Sequence, residues 1–82
     1  MPRYTARLRT PADFGLAVQQ ARMERELTQN QLAADSGIRQ SSISEIESGK
    51  STIYLKQLLE LARATGLELS ASWGDEDDAT LS

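Results

Sequence analysis

The 82-residue chain contains no cysteine and no histidine. Without cysteine there can be no disulfide staple and no thiolate metal site, which suits a reducing cytosol. Without histidine, an imidazole general base, a histidine zinc site and a histidine pH switch are all excluded. No apolar run approaches the ~20 residues that a membrane-spanning helix requires. The opening Met1-Pro2-Arg3-Tyr4 has no apolar stretch behind its charge and does not read as a signal peptide. A glycine-rich phosphate loop is missing too. The internal acids Asp13, Asp35 and Glu45 give no set that places a nucleophile beside a base. The expectation is a soluble, cytoplasmic, non-catalytic protein with neither metal nor cofactor.

What is present is unevenly distributed. The net charge is −3, yet Asp75, Glu76, Asp77 and Asp78 supply four of the twelve acidic residues, so residues 1–74 hold eight acids against nine bases. An acidic end can project away from a polyanion that the rest of the chain binds, and the total therefore says little about partners. The length suits one domain with a thin core, for which oligomerisation is a ready source of added stability.

Along the chain, residues 1–9 form a short arm in which Tyr4, Ala6 and Leu8 alternate with Thr5, Arg7 and Arg9. Thr10-Pro11-Ala12-Asp13 then starts a helix: a capping hydroxyl, a proline suited to the first turn and an acid at the positive end. Phe14, Val18 and Ala21 mark its inner face to about Arg25, with Leu16 and Met23 expected as partial cover for the core. Thr28-Gln29-Asn30-Gln31 is a capping box opening a second helix that ends at Gly37. A third helix covers about Gln40–Glu47, with Ile43 and Ile46 inward. A fourth carries Leu55, Leu58, Leu59 and Ala62 on one face and stops near Gly66. The period then changes: Leu67, Leu69, Ala71 and Trp73 alternate with Glu68, Ser70 and Ser72, as in a half-buried strand. The expected divisions are an arm over 1–9, a helical domain over 10–66, a strand over 67–73 and a disordered acidic tail over 74–82.

The informative feature is steric spacing. Ala33 is small where a second short helix crosses it, Gly37 allows a sharp left-handed turn, and Ile43 and Ile46 pin the inner side of the following helix. That leaves Arg39, Gln40, Ser41, Ser44 and Glu45 facing outward. Such short or bidentate polar groups can read base edges in a DNA major groove.

From Thr28-Gln29 to Gly49-Lys50 the chain resembles the Xre/Cro-type helix-turn-helix proteins, and the resemblance extends over about Phe14 to Leu67. It implies an all-α, lambda-repressor-like bundle of four helices plus one C-terminal strand, acting in transcription and associated with the nucleoid. It also implies a structural salt bridge between Arg22 and Glu47. Gln40 and Ser41 match base-reading positions; Thr28, Gln29, Ser42, Lys50 and Lys56 match or neighbour phosphate contacts. Two departures stand out: Arg39 occupies a position where the family usually has a capping Ser or Thr, and Glu45 on the outer face would repel phosphate unless it accepts from a cytosine amine.

A lone strand needs a partner. Residues 4–8 can supply one within the chain, but pairing across a dimer also explains how two reading helices meet a palindromic operator, and it is the expectation here, with Leu67, Leu69, Ala71 and Trp73 at the interface. Four helices followed by such a strand resemble the HipB-type antitoxins of type II toxin–antitoxin operons. That likeness implies a homodimeric autorepressor that holds a HipA-type kinase toxin. The alternatives are an autonomous phage-like repressor and a protein-interaction module that keeps the fold without reading DNA.

Overall fold

The computed structural model describes residues 3–50 and 52–74, in the order β1 (Arg3–Arg7), α1 (Pro11–Glu24), α2 (Gln29–Ser36), α3 (Gln40–Glu47), α4 (Ile53–Thr65) and β2 (Ser70–Gly74). Local chemistry sets the helix starts. Thr10 Oγ1 accepts from the Asp13 amide at 3.1 Å, while the Asp13 carboxylate accepts from the Arg9 amide at 2.9 Å and the Thr10 amide at 3.2 Å. Thr28 and Gln31 exchange the same reciprocal pair at the head of α2, at 3.0 and 2.8 Å. Arg39 caps nothing with its side chain, so α3 begins without this support. At the end of α1 the left-handed position falls on a non-glycine residue, Glu26 (φ 59°), where Leu27 N–H closes back on the Arg22 carbonyl at 3.1 Å.

The two strands pair antiparallel with each other, setting Tyr4 opposite Trp73 and Ala6 opposite Ala71. The Tyr4 and Trp73 rings stack with centroids 5.9 Å apart. Period-two alternation turns this apolar side toward α1 and leaves Thr5, Arg7, Ser70 and Ser72 in water. The expected strand pairing across a dimer is thus corrected: the partner of β2 is β1 of the same chain, and Trp73 is occupied within it. The reason is proximity. A turnless arm that ends at Thr10 lies beside the segment leaving α4, and Leu8 N–H already reaches the Leu69 carbonyl at 2.9 Å. The expected strand boundaries shift as well. Leu67 is 62% exposed, and its amide closes α4 on the Ala62 carbonyl at 2.9 Å, so neither it nor Leu69 belongs to β2. The expected acidic tail lies outside the described residues from 75 onward, and Gly74 ends β2.

The core is thin. Ala17, Ile43, Leu59 and Ala62 are its most buried apolar residues, flanked by half-buried Phe14, Val18, Ala21, Leu32, Ala33, Ile46 and Leu55. Leu16 and Met23, expected as partial cover, are exposed, and so is Leu58, which was expected inside. Helices this short have few neighbours to cover a second stripe.

α1 and α3 approach each other closely at Gly15. A Cβ built on Gly15 would lie 1.9 Å from the Ile46 carbonyl oxygen. Helix propensity alone favours alanine over glycine by about 1 kcal/mol in a helix interior. Here a methyl group would push two backbones apart, and overpacking of that kind costs about 1–3 kcal/mol or more. Gly15→Ala is therefore expected to destabilise the protein by about 2 kcal/mol in urea denaturation; a gain in stability would contradict the packing.

Candidate nucleic-acid interface

α2 and α3 are joined by the turn at Gly37 (φ 77°), whose amide bonds to the Ala33 carbonyl at 2.9 Å. Ile43, only 4% exposed, anchors α3 from within. The outer side carries Gln40, Ser41 and Glu45, all exposed, with Arg39 exposed just before them. Ser42 and Ser44 are half-buried, so Ser44 sits at the margin of this face and not at its centre.

Beneath the face lies a buried ion pair. Glu47 Oε2 accepts from Arg22 Nε at 2.7 Å and Glu47 Oε1 from the Arg22 NH2 group at 3.0 Å, with the Glu47 side chain 2% exposed. Arg22 is held in turn by the Leu27 carbonyl at 2.7 Å. The network continues outward: Gln29 Nε2 donates to Glu47 Oε1 at 3.0 Å, and Gln40 Nε2 donates to Gln29 Oε1 at 2.6 Å.

The direction of these bonds follows from chemistry. An ionised carboxylate can only accept, so Gln29 must turn its NH2 group inward. Its carbonyl then faces Gln40, which must donate. Gln40 is left with its carbonyl oxygen and one N–H, an acceptor and a donor side by side on an exposed helix. That pair complements the N6 donor and N7 acceptor of adenine in a major groove.

Gln29 was expected to touch phosphate, but its side-chain amide is engaged at both ends within the protein. Its backbone amide and that of Asn30 lie in the first turn of α2, where no carbonyl of the helix can meet them. Lys50 shares a groove with Ser42 and Glu45, whereas Lys56 lines a different one beside Arg7, Arg9 and Arg63. The structure therefore groups Arg39, Gln40, Ser41, Glu45 and Lys50, with the head of α2 beside them, and leaves Lys56 apart. Two parts were missed in the sequence. The bridging role of Gln29 has no local signature. Gly15 had one: a glycine inside an otherwise sound helix often marks a close approach.

The same bonds perturb ionisation. The Arg22 guanidinium holds the Glu47 carboxyl below its ordinary value, against the opposing effect of burial, and Gln29 adds to the lowering; Arg22 is raised in return. A depressed folded-state pKa contributes stability that is complete above the unfolded value near 4.5 and is lost as pH falls through the folded value. Breaking a buried pair costs about 3–5 kcal/mol. Glu47→Gln is expected to lose stability toward the low end of that range at neutral pH, and the gap from the unsubstituted protein should narrow as acid protonates Glu47. Urea midpoints measured across pH check this, and a gap independent of pH would contradict it.

Comparison with known proteins agrees with this architecture. A family model described as helix-turn-helix matches residues 18–71, which include α2, the turn, α3 and α4. An uncharacterised HTH-type transcriptional regulator of Sinorhizobium fredii, y4mF, is 33% identical over 63 residues, covering 77% of this chain and 83% of that one. No solved structure matches. With a turn-linked helix pair and an exposed polar helix in the matched region, the chain belongs to the helix-turn-helix family of DNA-binding transcriptional regulators.

Proposed function

We propose that the protein is a sequence-specific repressor that lays α3 in the major groove of a palindromic operator and acts as a homodimer on paired half-sites. The observation that carries this reading is the hydrogen-bond chain from Arg22 through Glu47 and Gln29 to Gln40, which presents a fixed donor and acceptor from an exposed helix. A merely solvated glutamine has no reason to be held so firmly.

The residues take distinct roles. Gln40 reads an adenine edge with Ser41 beside it, and Ser44 reaches only the margin of the contact. Arg39, at the uncapped head of α3, takes a guanine or a phosphate. Glu45 is tolerated only against a cytosine amine. The open amides of α2, the Thr28 hydroxyl, Ser42 and Lys50 take phosphates, and the dipole of α2 adds to their pull. No role falls to Lys56. The protein is read as a regulator and not as an enzyme.

The finer expectation, a HipB-type antitoxin bound to a HipA-type kinase toxin, leaned on a strand shared between copies. Since β2 is paired to β1 of its own chain, that support is withdrawn, and the proposal is an operator-binding repressor.

Binding to a randomised duplex library tests the reading. Gln40→Ala should relax preference at one base pair per half-site, by about 1–3 kcal/mol of discrimination. Lys50→Ala should weaken all sequences alike and reduce the salt slope by about one. Equal affinity for every duplex would contradict base reading, and no binding at low salt would favour the protein-interaction alternative.

A further inference from the structure

The acids Asp75, Glu76, Asp77 and Asp78 and the cation Lys56 take no part in the operator contacts proposed above. The strand pair packs on α1, and between its Arg7–Leu69 end and α4 a groove of about 610 Å³ stays open. Leu59, Ala62 and Leu69 give this groove an apolar floor, and Arg7, Arg9, Lys56 and Arg63 rim it. Glu68 pairs with Arg7 at 3.5 Å, and Glu60 pairs with Arg63. Arg9 lies beside Asp13, whose carboxylate accepts its amide at 2.9 Å. Lys56 has no acid within ion-pair distance among the described residues. An apolar floor is thus joined to a surplus of positive charge.

We propose that residues 75–82 of the same chain dock in this groove, with their acids against its cationic rim and Leu81 on its apolar floor.

Three observations select this segment as the occupant. The first is charge: it holds the one run of four consecutive acids in the chain, the complement of a rim with cations to spare. The second is reach. β2 ends at Gly74, whose positive φ of 116° takes the chain out of the line of the strand. Gly74 pairs with Arg3, and the groove begins at Arg7, four residues along the strand and about 13 Å away. Residues 75–78 cover that distance when extended, which brings Asp77 and Asp78 to Arg7 and Arg9, and Ala79 and Leu81 to the floor beyond. The third is the covalent link itself: through so short a connection the segment meets the groove at an effective concentration of about millimolar, which a free partner would have to match.

The site has a consequence for the acids. It lies on the flank of α4 away from Tyr54 and Leu58, which border the groove of Ser42 and Glu45 beside α3. Docking there withdraws four negative charges from the side of the molecule assigned to DNA, although docking itself requires no DNA.

Since the chain has no cysteine, a nitroxide can be placed at a single position without touching the fold. In the full chain with labelled Leu81→Cys, amide spectra should show strong paramagnetic broadening at Leu59, Ala62 and Leu69 and none above background at Ser41 of α3. Raising the salt from about 0.1 M to about 1 M shortens the Debye length from about 10 Å to about 3 Å, and it should reduce the broadening at Leu59 at least about twofold. At low salt the double change Asp77→Asn with Asp78→Asn should do the same, and so should Lys56→Gln. A mixture of nitroxide-bearing protein with isotope-labelled protein that bears no nitroxide should show no broadening, because the segment docks on its own chain. Broadening at Leu59 that ignores both salt and the acid changes, broadening at Ser41 in place of Leu59, or transfer between copies in the mixture would each overturn the proposal.

Discussion

Withdrawing a carboxylate from water costs several kcal/mol unless donors meet it, and Glu47 is met by three: two nitrogens of Arg22 and the amide of Gln29. Those donors come from α1 and α2, while Glu47 ends α3, so one acid ties three helices. The tie is possible only because α3 approaches α1 closely at Gly15, where any side chain would collide with the Ile46 carbonyl. It is rigid because Arg22 is also held by the Leu27 carbonyl, in the turn that leads into α2. A glycine inside α1, a carbonyl after it and an acid at the end of α3 thus act together. Their joint result is the orientation of one amide, that of Gln40, at the surface.

This arrangement lets a small protein be firm where it must be. Among the described residues, the apolar side chains that are well buried are Ala17, Ile43, Leu59 and Ala62, two of them alanines. Burial of that extent gives a modest driving force, and polar interactions that fix geometry carry more of the organisation than in a larger domain. The strand pair closes the bundle by stacking Tyr4 on Trp73 over α1, which uses an aromatic pair where a longer chain would use another helix.

Much of this was legible in the residues because the relevant chemistry is local. Thr10, Thr28 and Gly37 announce helix boundaries through contacts a few residues away, and the outward side of α3 follows from the inward placement of Ile43. What was not legible depends on distance in the chain. The partner of β2 is settled by whether residues 3–7 reach it before another copy does, and alternation along a strand contains no such information. Leu58 fits an inward helical face by spacing, yet it lies on the open groove beside Phe14 and Ile46 and stays 45% exposed. Gln29 looked like a phosphate contact because it opens a helix; that Glu47 and Gln40 claim its side chain emerges only once α2 and α3 are docked.

The central claim is that an internal acid fixes an external glutamine, and side-chain amide relaxation by NMR on the DNA-free protein tests it most directly. The Gln40 NH2 group should show an order parameter near that of rigid backbone, about 0.85, and should fall below about 0.6 when Gln29→Ala removes its acceptor while the fold persists. A Gln40 amide equally mobile in both proteins would contradict the account.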